Sequence, residues 1–391
     1  MRECIYCGDS KEDKEFTLEH VIPQSLGGAC APDELKTRDV CKDCNSNLGL
    51  FVDASFEKNH FVSIALHLIA RNFFDPANPT SLPLYCLGDS KLVPPGMTDT
   101  EICELWGGPF GERIYWIRPI DKRMETYAGG NPRTTKQKES RAYFRSTKDS
   151  EKNIELVLLS FKDAFGKQKA GKKKRKVKKL FCTTVEGCEL EDLGFSTPNE
   201  LDRARISYFL QQAKGRQQIH GEIPINVNFD QRFASKLALG LSHVLFNGEL
   251  RNSKYSKELR KGLWFGFNGP IPEVPGAKTF SSKSDPLVQH TGVDYGVTIT
   301  FTPVDGKVAV ILNIGRMLAF TVMCADLEEL SAAHISQIEH GLSLVLIDPL
   351  QKNVRLTTPE LITHNSSMVK NSELSRIEKI VNKSNTYFRN L

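Results

Sequence analysis

Long apolar runs are missing from this chain of 391 residues. None approaches the roughly 18 consecutive apolar residues that a spanning helix needs, which excludes a membrane-embedded protein. The N-terminus, MRECIYCGDSKEDKEF, is polar and acidic and carries no secretory leader pattern. Cysteine is scarce, at ten residues, too few to be a disulfide scaffold for a chain of this size. These absences together point to the reducing cytoplasm, where paired cysteines serve as metal ligands. No internal repeat with a period of about 20–50 residues is present, so a solenoid or propeller is excluded. With 40% hydrophobic and 25% charged residues, the composition is that of a globular protein, and neither disorder nor a collagen-like fold fits.

Charge is present but uneven. The whole chain carries +5. Residues 1–60 hold 7 Lys/Arg against 12 Asp/Glu, a net of −5, while residues 121–180 hold 19 against 7, a net of +12. Such polarisation marks either a polyanion-binding segment or a solvated basic loop. The densest part is the run Lys172, Lys173, Lys174, Arg175 and Lys176.

The first 60 residues are dense in motifs. Cys4-x2-Cys7 and Cys41-x2-Cys44 form two knuckles separated by 33 residues, and four thiolates so spaced can surround one structural Zn2+. A redox role would need a single such pair in a βαβ setting. Cys30 lies between the pairs, in GGAC, outside the knuckle pattern. Between the knuckles, Glu19-His20-Val21-Ile22-Pro23 ends an expected strand and leads into Gly27-Gly28; Asn45 directly follows the fourth cysteine. This combination, CIYC … LEHVIPQSLGG … VCKDCN, resembles the HNH, or ββα-metal, endonuclease family over residues 1 to about 56.

The resemblance implies metal-dependent hydrolysis of DNA phosphodiester bonds, leaving a 3′-hydroxyl and a 5′-phosphate. It implies that Glu19 and Asn45 bind the catalytic cation and that His20 is the general base. Their oxygen donors suit Mg2+ or Mn2+ better than Zn2+, and a neutral histidine has the pKa range for a base near neutrality. Two readings stay open for Asn45, because Asn is also a common helix cap. Asp53 supports either the site or only the fold. The family often carries an asparagine five residues before the third cysteine, to orient the histidine; here Lys36 stands there, and a backbone carbonyl is the substitute expected. Because neighbouring strand residues face opposite ways, Glu19 and His20 share one phosphate only if the strand is distorted.

The fold expected is α+β: a zinc-stabilised ββα-metal module at 1–60, a connecting α/β region at 61–150 and a C-terminal α+β recognition or regulatory domain at 151–391. Helices are expected at 61–74, 200–215 and 229–246, and strands at 113–120, 154–161, 295–302, 308–314, 317–324 and 342–347. Residues 129–153 read as an exposed connection, and the tail from 365 as a loosely held helix. His243 reads as a core histidine, and Tyr208, Phe209, Trp264, Phe265 and Phe267 as core aromatics or base-stacking platforms. The partner implied is DNA, gripped through the basic run, with no membrane. N-terminal modules of this family fused to larger domains suggest a bacterial anti-phage or mobile-element nuclease. Two rivals remain: a non-catalytic zinc-ribbon nucleic-acid-binding protein, and a nuclease gated by a ligand or partner protein at its C-terminal domain.

Overall fold

The computed structural model describes residues 1–75, 77–78, 80–120, 140–165, 180–183, 195–214, 221–223, 225, 227–265 and 270–389. The chain is α+β and forms two compact units, one from residues 1–57 and 226–387, the other from residues 58–225 and 388–391. The sequence reading cuts at 60 and 150; the compact units divide near 57 and again near 225.

In the first unit, the strand Phe16–His20 pairs antiparallel with Lys36–Cys41, which runs directly into the helix Lys42–Leu48. This is a ββα order. The first strand ends at His20, and Pro23, with no N–H to donate, cannot resume the ladder. The Gly27-Gly28 turn is required sterically: Gly27 has φ +87°, and a Cβ on Gly28 would lie 1.9 Å from the Ile22 carbonyl oxygen. Val21, Ile22, Val40 and Leu48 are buried.

The C-terminal part of this unit is a six-stranded antiparallel sheet. Its order is Lys278–Phe280, Leu318–Asp326, Lys307–Ile314, Val297–Val304, Leu342–Ile347 and Lys352–Leu356. The hairpin joining Val304 to Lys307 turns on Asp305-Gly306, both at positive φ (48° and 74°), the pair a tight two-residue turn selects. The helices Val227–Leu245 and Lys254–Trp264 pack on the Leu318–Asp326 strand. Phe56, just after the ββα segment, stacks on Phe233 at 3.8 Å and meets Phe320 edge-on at 5.1 Å. One aromatic side chain thus joins the N-terminal module to both the long helix and the sheet.

The second unit holds a five-stranded sheet in the order Tyr85–Asp89, Glu101–Gly107, Arg113–Pro119, Arg141–Arg145 and Leu180–Thr183, antiparallel except for the last pair. Trp116, Phe144, Phe161 and Phe165 fill one side of it, and Tyr115, Tyr143 and Phe209 the other.

Three expectations are corrected here. Residues 154–161 are not a strand but the start of the helix Ile154–Phe165. Glu155, Leu159 and Lys162 lie outward at helical spacing while Leu156, Val157 and Phe161 are buried; eight residues of rough alternation do not separate the two periods. Within 129–153, Arg141–Arg145 is a strand and Lys148–Lys152 a helix started by a Thr147/Ser150 capping box. The tail helix Ser372–Arg389 is anchored, because Leu374, Ile377 and Val381 are buried along one stripe.

Candidate functional site

The knuckles converge. The sulfurs of Cys4, Cys7, Cys41 and Cys44 all lie within 4.8 Å of one another. Backbone amides aim at them: Cys41 N–H donates to Cys4 Sγ and Cys44 N–H to Cys41 Sγ, each at 3.4 Å. The second bond makes Cys41 the cap of the helix Lys42–Leu48. Hydrogen bonding from Cys44 pulls the Cys4 thiol down to about 4, while burial pushes Cys7 up to about 12 and its bond to Cys4 pushes Cys44 well up. A four-sulfur set of this kind fits Zn2+, which would displace the remaining protons. Cys30 takes no part; its thiol donates to the Gly27 carbonyl at 3.0 Å.

The strand pairing carries a distortion at the site. Thr17 faces Val40 and Glu19 faces Thr37, so one extra residue of the second strand is bulged out opposite Leu18. Asn45, inside the helix capped by Cys41, donates from Nδ2 to the Leu18 carbonyl at 3.0 Å. It is not a cap, since Cys41 holds that position. His20 is half-buried and sits across from Lys36. Lys36 bonds Asp33 at 2.5 Å, and this bond, then the lysine charge, holds the Asp33 carboxyl low, with His20 contributing less. Among the described residues no hydrogen bond fixes the His20 ring.

Glu19 faces inward and is only 5% exposed. Its Oε1 receives the Lys236 ammonium at 2.9 Å and the Tyr6 hydroxyl at 3.5 Å. Lys236, 2% exposed, also pairs with Asp53 Oδ2 at 2.6 Å. The other Asp53 oxygen, Oδ1, is buried with no hydrogen-bond partner. Burial raises both carboxyls above their ordinary range, and Lys236 draws them partly back. Burial also opposes the ammonium, but Asp53 and Glu19 outweigh it and raise Lys236. One cation thus serves two acids, Glu19 buried and Asp53 half-buried. The donors suit a hard cation in kind: the Glu19 and Asp53 carboxylates, one oxygen of which lacks any partner, and the Asn45 amide.

Sequence reasoning missed Lys236 and Tyr6. A signal existed for the lysine: in FASKLALGL it falls on the same helical face as Phe233, Leu237 and Gly240, and a charge on an apolar stripe calls for a buried counter-charge. His243 is largely buried but has a polar partner, Asp39, at 3.0 Å; Arg251 holds the same carboxylate oxygen at 2.7 Å. Phe209 is core, stacked on Tyr115 at 4.2 Å. Trp264 is partly exposed, but its Nε1 donates to the Tyr6 carbonyl at 2.8 Å, and the Arg232 guanidinium lies over Phe265. Phe267 and the run Lys172, Lys173, Lys174, Arg175 and Lys176 lie outside the described residues. Among the described residues no helix is long and apolar enough to cross a membrane.

Searches of curated proteins and of solved structures gave no match. Residues 4–61 match the model of a family described as HNH endonuclease, and with its clustered cysteines and ββα order the N-terminal module is of the HNH endonuclease family.

Proposed function

We propose that the module hydrolyses DNA phosphodiester bonds with His20 as general base and Glu19 and Asn45 as ligands of a Mg2+ or Mn2+ ion. The observation that carries this reading is local. Glu19 and His20 end a strand that is paired with the strand feeding the helix capped by Cys41, and that helix carries Asn45 back to the same strand end. The knuckle cysteines fix this arrangement by holding Zn2+, which is structural here.

A bound divalent cation supplies charge neutralisation at the scissile phosphate and the leaving oxygen. His20, half-buried at the strand end, takes the proton of the attacking water. Glu19 and Asn45 contribute oxygen donors, and the bulge in the partner strand opposite Leu18 adds local twist just before Glu19. The acidic module needs an external supplier of phosphate contacts, and the run 172–176 is assigned that role; such contacts position the backbone without reading bases. The reducing cytoplasm is the compartment that suits free thiols and a Cys4 zinc site, and defence against foreign DNA is the setting we favour. A gated nuclease is the second reading, because an ammonium from the C-terminal part already sits on Glu19. Plasmid nicking with Mg2+ and Mn2+, comparing wild type with His20→Ala, tests the first reading. Equal cutting by both proteins would sink it.

A further inference from the structure

We propose that Lys236 is a built-in competitor of the catalytic cation: its ammonium holds Glu19 and Asp53 in a metal-weak resting state, and divalent binding at Glu19 requires that ammonium to withdraw. This rests on the reading of Glu19 as a metal ligand and adds a residue that the N-terminal motif does not contain.

Three observations carry it. First, the position is that of a cation. Lys236 Nζ lies 2.9 Å from Glu19 Oε1 and 2.6 Å from Asp53 Oδ2, bridging two carboxylates as an ion would. Second, the group is shielded from solvent. It is 2% exposed, lies 5.9 Å from the centre of the Tyr6 ring, and its helix is packed so closely that a Cβ at Gly240 would meet Val21 at 2.6 Å. A surface lysine could swing aside for a metal; this one moves only if its helix or the module shifts. Third, a divalent ion and the ammonium would contend for the same carboxylates. Two carboxylates face one ammonium, and Asp53 Oδ1 has no partner. A divalent ion on Glu19 would sit within a few ångströms of the ammonium, in surroundings where water screens poorly, and the two would repel strongly.

Lys236 also ties the device to the rest of its unit. The residue belongs to the helix Val227–Leu245, which packs on the sheet strand Leu318–Asp326. Any displacement of that helix is therefore read directly at Glu19.

The test is Mn2+ titration of the zinc-loaded full chain, followed by electron paramagnetic resonance of the free ion. Lys236→Met keeps the length of the side chain and removes the charge. It should bind Mn2+ more tightly than wild type, by on the order of tenfold or more, and Lys236→Arg should bind as weakly as wild type. Adding Glu19→Gln to Lys236→Met should abolish the gain. Lys236→Met leaves two acids without a counter-charge, so a second variant, Lys236→Met with Asp53→Asn, restores the charge balance; it gives up one carboxylate donor and should still bind Mn2+ more tightly than wild type, by a smaller factor. Either variant, with intact zinc content and thermal unfolding, binding Mn2+ no more tightly than wild type overturns the proposal. The underlying reading fails by a different result: Glu19→Gln alone leaving both Mn2+ affinity and cleavage at wild-type values. A protein in which Glu19→Gln weakens Mn2+ binding but Lys236→Met does not strengthen it keeps Glu19 as ligand and removes Lys236 from the scheme.

Discussion

Asn45 donates its side-chain amide to the carbonyl of Leu18 at 3.0 Å, so the residue after the fourth cysteine is stitched to the residue just before Glu19. The bond spans the point where the strand pairing slips by one residue. It gives the Leu18 carbonyl a side-chain donor from the helix, which a helix cap would not do. Asn45→Ala should therefore lower thermal stability by about 1 kcal/mol, the usual net worth of such a bond, and should also weaken Mn2+ binding. Calorimetry and metal titration on the same variant read the two effects separately.

Removal of zinc should unfold the N-terminal module. With the four sulfurs within 4.8 Å of one another, the purified chain should hold one zinc ion. Cys41→Ser removes a ligand while leaving a hydroxyl that can still cap the helix. It should lose the ion and expose Val21, Val40 and Leu48 to proteolysis, because structural zinc contributes folding energy directly. Full occupancy in that variant, by atomic absorption, would exclude the site.

His20→Ala should fold, retain zinc and bind Mn2+ as wild type does, since the ring makes no hydrogen bond among the described residues. Its cleavage rate at saturating metal should fall by on the order of 10²–10⁴, the typical contribution of a positioned base. Plasmid nicking at several Mn2+ concentrations separates this loss of rate from a loss of metal affinity.

Replacing Lys172, Lys173, Lys174, Arg175 and Lys176 by Gln should weaken DNA binding and flatten its dependence on salt, because fewer counterions are released. Fluorescence anisotropy across a salt series measures the slope. An unchanged slope identifies the run as solvated only.

Acid should weaken the second unit through His67. Burial lowers its pKa, with the Pro83 carbonyl opposing, and its Nδ1 meets that carbonyl at 2.5 Å. The folded ring stays neutral where the unfolded one takes up a proton. The contribution to stability is thus complete above the unfolded pKa of about 6.5 and is lost as pH falls through that value toward the depressed folded pKa. His67→Gln should reduce the slope of stability against pH between about 7 and 5 by up to roughly 1.4 kcal/mol per pH unit. Urea unfolding at several pH values checks this.

The four-cysteine cluster was legible because cysteine pairs at fixed spacing are rare and their chemistry is narrow. Glu19, His20 and Asn45 were legible as a pattern between and after those pairs. The sheet strands at 297–304, 307–314, 318–326 and 342–347 were legible from β-branched alternation. The counter-charge to Glu19 was not, since Lys236 stands 217 residues further on and only tertiary packing brings it in. The helix Ile154–Phe165 was misread because its buried residues, taken over eight positions, imitate a strand. The tail helix was misjudged because Leu374, Ile377 and Val381 are spread thinly through a Ser- and Asn-rich stretch.

The first compact unit is built from two stretches of chain, with residues 58–225 inserted between them. The ββα segment therefore emerges from the ribosome long before the helix that supplies Phe233 and Lys236 has been synthesised. Until then Phe56 lacks its stacking partner and Glu19 its ammonium, and the segment has only its own strand pair, the Asn45–Leu18 bond and the cysteine knuckles to hold it in shape. Sequence-distant closure of this sort is slow, so the nascent chain passes through a period in which Glu19 is free of its internal restraint. A fragment ending before residue 226 would remain in that state permanently, which makes the position of a stop codon a determinant of whether the restraint exists at all.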